Sequence, residues 1–202
     1  MQRDLEPVAE QGQFPWPLPW IAIAGPSGAG KDTLLNAVRE ALDGDPRFHF
    51  ARRSITRPAT SGGEVHEPLM RAPFAKALAG GGFILHWQAH GLDYGIRQSE
   101  APTDRVVIVS LSRSVLREAA ALRPLRVIEV TAPPALLAER LARRGREDAA
   151  QIAARLAREM PLPEGFDVTR VMNDGSVKQG AERLREALEA AATACVAGRF
   201  RP

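Results

Sequence analysis

Cysteine is nearly absent. Cys195 stands alone among 202 residues, so no internal disulfide can form, and the expected compartment is a reducing one, the cytoplasm. Aromatic residues are scarce at 5%, which removes the stacking platforms that a single-stranded nucleic-acid binder uses. No long uncharged apolar run occurs, so no transmembrane helix is expected. The polar stretch from Met1 to Gln13, with Asp4, Glu6 and Glu10, lacks the apolar centre of a signal peptide. An excess of one charge is missing too: 27 Lys and Arg against 24 Asp and Glu leave +3, a surplus that suits local anion sites without arguing for a polyanionic partner. The remaining composition, 45% hydrophobic and 25% charged, is that of an ordinary globular chain with enough apolar material for a core.

Residues 1–19 read as a flexible leader ending in the stiff segment Pro15-Trp16-Pro17-Leu18-Pro19, and 20–202 as one domain. The run Trp20-Ile21-Ala22-Ile23-Ala24 is apolar throughout and followed by glycines, the pattern of a buried parallel strand. Further strands are expected at Phe48–Ser54, Phe83–Trp87, Val106–Val109, Val127–Thr131 and Val168–Met172. Helices are expected from Asp32 to Leu42, at Phe74–Leu78, Val115–Leu122, Pro134–Arg143, Asp148–Arg158 and Val177–Val196. Strands alternating with helices predict an α/β fold, a parallel sheet flanked by helices. The long loop Thr56–Pro73, rich in Gly, Pro, Ser and Glu, is of a length that is usually functional or disordered.

Between the first strand and the first helix lies Gly25-Pro26-Ser27-Gly28-Ala29-Gly30-Lys31-Asp32-Thr33. A glycine-rich turn in that place points backbone N–H groups and a helix N-terminus at phosphates, and Lys31 reaches the terminal ones. The strict pattern wants Ser or Thr directly after the lysine. Asp32 stands there, and Thr33 is rotated by about 100° around the helix from that place. Two readings of Asp32 stay open. It either complements the helix dipole, or its carboxylate replaces the hydroxyl as a Mg²⁺ ligand, since a bare carboxylate beside a polyphosphate would otherwise be repelled. The strand Val106–Val109 ends in Ser110, where many P-loop proteins place a metal-associated acid; on the metal reading of Asp32 the carboxylate has moved to the loop.

With these residues in place, the chain resembles the guanylate kinase group of P-loop kinases from Trp20 to Leu188. The resemblance rests on GPSGAGKDT (25–33), SITRP (54–58), GGE (62–64), the segment Trp87 to Gly95, and RLARRGRE (140–147). Within that group it resembles the ribose 1,5-bisphosphate phosphokinases of phosphonate catabolism. The carrying features are GKD in place of GKS, ITRP followed by GGE and by His66-Glu67, the run Trp87–Ile96, the pair Ser112-Arg113, and Arg144, Gly145, Arg146 and Glu147.

The resemblance implies a P-loop NTPase fold with an acceptor region at about 52–97 and a lid at about 140–160. It implies Mg²⁺ with ATP as co-substrate, and the reaction ATP + ribose 1,5-bisphosphate → ADP + 5-phosphoribosyl 1-diphosphate. Lys31, Asp32, Arg144 and Arg146 are the implied catalytic residues. The acceptor falls to Arg57, Glu64, His90, Tyr94 and Arg113, with Arg53 a further candidate acceptor cation at a strand end. Each has a plainer alternative: Arg53, Arg57 and the arginines of 140–158 as solvated charges, the loop acids Glu64 and Glu67 likewise, and His90 as a structural histidine. ATP and a small phosphorylated sugar are the expected partners, with a homodimer admitted.

Departures from guanylate kinases narrow the acceptor. Phe83-Ile84-Leu85-His86 carries no carboxylate where those enzymes read guanine, Thr60 replaces their second arginine, and Met70 their phosphate-binding tyrosine. A site without base-reading acceptors discriminates poorly for guanine. His86, His90, Arg97 and Arg113 remain as cations for a second phosphate. The runner-up is a guanylate or other nucleoside monophosphate kinase. A non-catalytic guanylate kinase-like binding module is disfavoured by the intact loop.

Overall fold

A computed structural model of the chain describes residues 17–58, 65–143, 150, 153 and 161–196. The apolar run after the prolines forms β1, Trp20–Ala24, with every residue buried. Its neighbours are β7 (Val106–Ser110) on one side and β8 (Leu125–Thr131) on the other. β2 (Phe48–Phe50) and β9 (Val168–Met172) lie at the edges, giving the order β2-β7-β1-β8-β9 with every pairing parallel.

Strands covered on both faces need no polar alternation, and this sheet is covered twice. Ile21, Ile23, Ile108, Ile128 and Val130 meet α1 (Lys31–Ala41), α4 (Pro134–Arg143) and α5 (Val177–Val196) through Leu34, Val38, Leu137, Leu184 and Leu188. The opposite face, with Trp20, Ala22, Val107, Val109 and Val127, meets α3 (Leu116–Leu122) and a second sheet. The expected parallel sheet flanked by helices is therefore the architecture observed. Among the described residues no helix is long and apolar enough to cross a membrane.

The second sheet is where sequence and structure part. Phe48–Ser54 reads as one strand, but the chain breaks after Phe50. Ala51 N–H still donates to the Ile108 carbonyl at 2.9 Å, whereas Arg52 N–H is taken by the Glu100 carboxylate at 2.9 Å. The chain then leaves the parallel sheet and enters the other as β3, Arg53–Ile55. There it pairs with β4 (Glu67–Pro68) and β6 (Leu92–Arg97), and β6 with β5 (Phe83–Ala89), in the order β4-β3-β6-β5. β4 is two residues long and contains a proline, and β6 contains Asp93 and Gly95, so neither has a strand's composition. Gly95 is there for space: a Cβ would lie 2.6 Å from Phe83 Cδ1, and that ring is stacked on Phe74 of α2 (Arg71–Ala79) at 4.6 Å.

Glu67 ties this sheet together. Arg97 Nε and Nη2 donate to its two oxygens at 2.6 and 2.9 Å, and the buried Ser54 hydroxyl donates as well. Arg97 is thus neutralised within the sheet, which corrects its reading as a spare cation for substrate. The hydrogen bonds from Arg97 are the main reason the Glu67 carboxyl titrates below its usual range. A depressed carboxylate adds stability above its unfolded pKa of about 4.3 and loses it as pH falls through the lower folded value. Urea titrations of the protein and of Glu67→Gln should therefore give midpoints that differ at pH 6 and converge toward pH 3. A difference that persists unchanged at pH 3 would contradict this assignment.

Candidate active site

Gly25, Gly28 and Gly30 hold positive φ angles of 138°, 86° and 85°. Gly30 is the left-handed N-cap of α1, with no side chain capping the helix. Its first-turn N–H groups are therefore directed at the loop, the arrangement that binds anions. A Cβ on Gly30 would lie 2.6 Å from Asn173 Nδ2. Asn173 is buried just past β9 and donates Nδ2 to the Ala29 carbonyl at 2.7 Å. Arg140 Nη1 lies 3.5 Å from the same oxygen. The Lys31 ammonium crosses the mouth of the loop to the Gly25 and Pro26 carbonyls, each at 2.7 Å. Ser110 is buried at the end of β7, level with Ile23 of β1, so the position beside the loop carries a hydroxyl.

Asp32 occupies the first turn of α1, its carboxylate about one-third exposed, with Oδ1 4.0 Å from Arg53 Nη2. Arg53 is mounted on β3 and is only 13% exposed, its guanidinium 5.3 Å from the centre of the Tyr94 ring. Tyr94 is buried and stacks on Trp87 at 5.3 Å with planes 8° apart. The phosphate loop and the second sheet are thus joined through Asp32, Arg53 and Tyr94.

The other expected acceptor residues lie around this junction in different states. Arg57 follows β3, and its buried Nε and Nη2 have no hydrogen-bond partner among the described residues; its carbonyl lies 3.1 Å from His66 Nε2. Arg113, after β7, is 12% exposed and 3.8 Å from Glu129. Glu129 itself accepts from Arg170 Nε at 2.9 Å. His90 is exposed at the corner of the β5–β6 turn with φ 53°, followed by Gly91 at φ 73°. That pair of angles is what a two-residue hairpin of this kind requires. The groove beside His90 is lined by Arg71, Gln88, Ala89, Gly91 and Asp93, with no phosphate-loop residue. Glu64, Arg144 and Arg146, like the leader up to Trp16 and most of the expected helix at 148–158, lie outside the described residues.

No protein-family model matches the chain. Among curated proteins, "Ribose 1,5-bisphosphate phosphokinase PhnN" of Brucella melitensis is 49% identical over 163 residues, 78% of this chain and 85% of that protein. The protein of the same name from Methylobacterium radiotolerans is 44% identical over 170 residues, 81% of this chain and 93% of that one. This chain belongs to the ribose 1,5-bisphosphate phosphokinase family. It is also 49% identical over 173 residues to the "Bifunctional ribose 1,5-bisphosphokinase-thymidine phosphorylase" of Azorhizobium caulinodans, spanning a quarter (25%) of that protein's length. Among solved structures, the guanylate kinase of Anaplasma phagocytophilum matches with a TM-score of 0.59 over 89% of each chain at 18% identity, which shows that the two share a fold.

Set in this phosphokinase family, Asn173 and Glu129 are the residues that sequence reasoning missed. Each had a signal. Asn173 comes directly after the last strand of a parallel sheet, where ligands gather, and Glu129 interrupts the apolar run Val127-Ile128-Glu129-Val130. Because Asn173 fixes the loop carbonyl, Asn173→Ala should lower stability by about 1–3 kcal/mol and raise the KM for ATP more than that for the acceptor. Urea melts and two-substrate kinetics check this; an unchanged KM for ATP would contradict it.

Proposed function

We propose that this chain catalyses ATP + ribose 1,5-bisphosphate → ADP + 5-phosphoribosyl 1-diphosphate. The observation that carries the reading is the 49% identity to a phosphokinase of that name over 85% of its length, in a chain whose phosphate loop meets a second, cation-bearing sheet. In the transfer the γ-phosphorus leaves the bridging oxygen of ATP and bonds to an oxygen of the C1 phosphate. ADP departs with the bond's electron pair, and an ionised acceptor needs no base. Little covalent work is left to the protein, so positioning and charge neutralisation dominate.

The loop amides and Lys31 take the donor phosphates. A Mg²⁺ ion fits Asp32: this metal commonly uses one or two carboxylates together with phosphate oxygens and water, and Asp32 presents one partly exposed carboxylate at the helix start beside Lys31. When bound, the ion supplies charge neutralisation to the phosphates. On the acceptor side Arg57 holds the strongest position, because its buried Nε and Nη2 have no hydrogen-bond partner among the described residues and a phosphate would relieve them. Arg113, Tyr94, His90 and Glu64 complete the acceptor set, and Arg144 and Arg146 the lid that screens the reaction from water. A reducing cytoplasm suits a chain with one cysteine.

Purified protein with Mg-ATP should turn over ribose 1,5-bisphosphate with a far higher kcat/KM than GMP or other monophosphates, followed by ADP release. Turnover of GMP alone would reject the assignment. Asp32→Asn should lower kcat by a factor on the order of 100 and raise the Mg²⁺ concentration needed for half-maximal rate. An unchanged Mg²⁺ requirement would remove the metal role of Asp32.

A further inference from the structure

The polypeptide passes between the two sheets twice. It leaves the parallel sheet after β2 and enters the second at β3, with only Ala51 and Arg52 between. It returns after β6 through a single 3₁₀ turn, Gln98–Glu100, on the way to β7. The donor loop follows a strand of one sheet and Arg57 follows a strand of the other. The geometry of the crossings therefore governs how one is aimed at the other.

A single carboxylate joins the two crossings. Glu100 Oε2 accepts the Arg52 N–H at 2.9 Å and lies 3.0 Å from His49 Nε2, and Oε1 is 3.7 Å from Arg52 Nε. The Glu100 side chain is 17% exposed. A charged acceptor on a backbone amide makes one of the stronger hydrogen bonds, whereas the 3.7 Å contact to the half-exposed Arg52 guanidinium contributes little. Glu100 is in turn fixed to the core. The carbonyls of the next two residues, Ala101 and Pro102, accept from Arg123 at 2.7 and 2.6 Å. That buried guanidinium, at the end of α3, lies 5.8 Å from the centre of the Trp20 ring of β1. A continuous path runs from β1 through Arg123 and Glu100 to the amide just before β3.

The path ends on the acceptor side. Arg57 stands five residues beyond the held amide. That is roughly 16 Å of extended chain, so a rotation of about 4° at the crossing displaces it by about 1 Å. A misplacement of that size can slow a positioned reaction by about 100-fold. Glu100 itself opens on a separate cavity, lined by Arg39, Leu42, Phe48 and Phe50 and by no residue of the phosphate loop.

We propose that Glu100 is a positioning residue for phosphoryl transfer: by holding the Arg52 amide it fixes the aim of the acceptor sheet at the phosphate loop, without touching donor or acceptor. The inference rests on the ribose 1,5-bisphosphate reading and deepens it, since it names the contact that aligns the two halves of that site. Its signature is in kcat. Each substrate keeps its own contacts when this clasp is lost, so binding changes little while in-line alignment fails.

The test uses the full chain. Calorimetric titration with Mg-ADP counts intact donor sites and measures their Kd. Steady-state rates with Mg-ATP and ribose 1,5-bisphosphate are then expressed per ADP-binding site. Glu100→Ala removes the clasp, Glu100→Gln keeps an oxygen for the Arg52 amide, and Arg52→Met removes the side chain but keeps the amide.

Glu100→Ala should lower kcat per site by roughly 10- to 100-fold, with the Kd for ADP and the KM for the bisphosphate within about threefold. Glu100→Gln should restore kcat to within about threefold of the parent, and Arg52→Met should stay within about twofold. If Glu100→Ala does not fold, Glu100→Asp, one methylene too short for the amide, takes its place with a loss of roughly tenfold. An unchanged kcat per site, with only fewer ADP-binding molecules, would make Glu100 purely structural and overturn the proposal. A loss in Glu100→Gln equal to that in Glu100→Ala, or a weakened Kd for ADP that accounts for the loss, would do the same. Failure of the unaltered protein to turn over ribose 1,5-bisphosphate would instead overturn the substrate reading, and this inference with it.

Discussion

A loop of consecutive amides can cradle a polyphosphate only if its own carbonyls are turned away and satisfied elsewhere. Here the Lys31 ammonium takes the Gly25 and Pro26 carbonyls, and the buried Asn173 amide, from the edge strand of the sheet, holds the Ala29 carbonyl at 2.7 Å. The same contact requires the residue at position 30 to be glycine, since a Cβ there would collide with the Asn173 amide. It also requires α5 to come close. A Cβ on Gly180 of that helix would lie 2.8 Å from Asn173 Oδ1 and 2.9 Å from Leu34. Loop, last strand and last helix are thus one packed unit, which is why the donor site needs a full parallel sheet beneath it.

The acceptor side obeys a different constraint, the sorting of cations. Lone buried charges are expensive, and pairing every arginine tightly would leave none to meet a phosphate. The second sheet separates the two tasks. Glu67 consumes Arg97 and thereby joins β3, β4 and β6. Arg53 stands over Tyr94 facing Asp32, and Arg57 keeps two buried nitrogens without a partner among the described residues. The Glu67–Arg97 ion pair belongs to the frame of this sheet, while Arg53 faces the phosphate loop through Asp32.

Much of the parallel sheet was legible because burial on both faces writes continuous apolar runs. Trp20–Ala24 and Val106–Val109 are such runs, and the edge strand Val168–Met172 and the helices Pro134–Arg143 and Val177–Val196, which are not, were also read with the bounds observed. The second sheet was not legible in this way. β4 and β6 are specified by what crosses them, the Glu67–Arg97 ion pair and the Phe83 ring over Gly95, and neither leaves a period in the sequence. The break after Phe50 depends on a carboxylate 48 residues away, Glu100, capturing the Arg52 amide. In the site, the loop residues were visible because their chemistry is local. Asn173, Glu129 and the union of Asp32 with Arg53 were hidden because each acts across the fold on an atom far away in the chain.

The central claim is that the second sheet presents a sugar phosphate to the donor loop so that its C1 phosphate is the acceptor. Phosphorus NMR of the protein incubated with Mg-ATP and ribose 1,5-bisphosphate tests this directly. The account predicts that the C1 monophosphate resonance is replaced by a coupled diphosphate pair while the C5 resonance persists, in step with ADP. Loss of the C5 resonance, or ADP formed with inorganic phosphate and no sugar diphosphate, would contradict it.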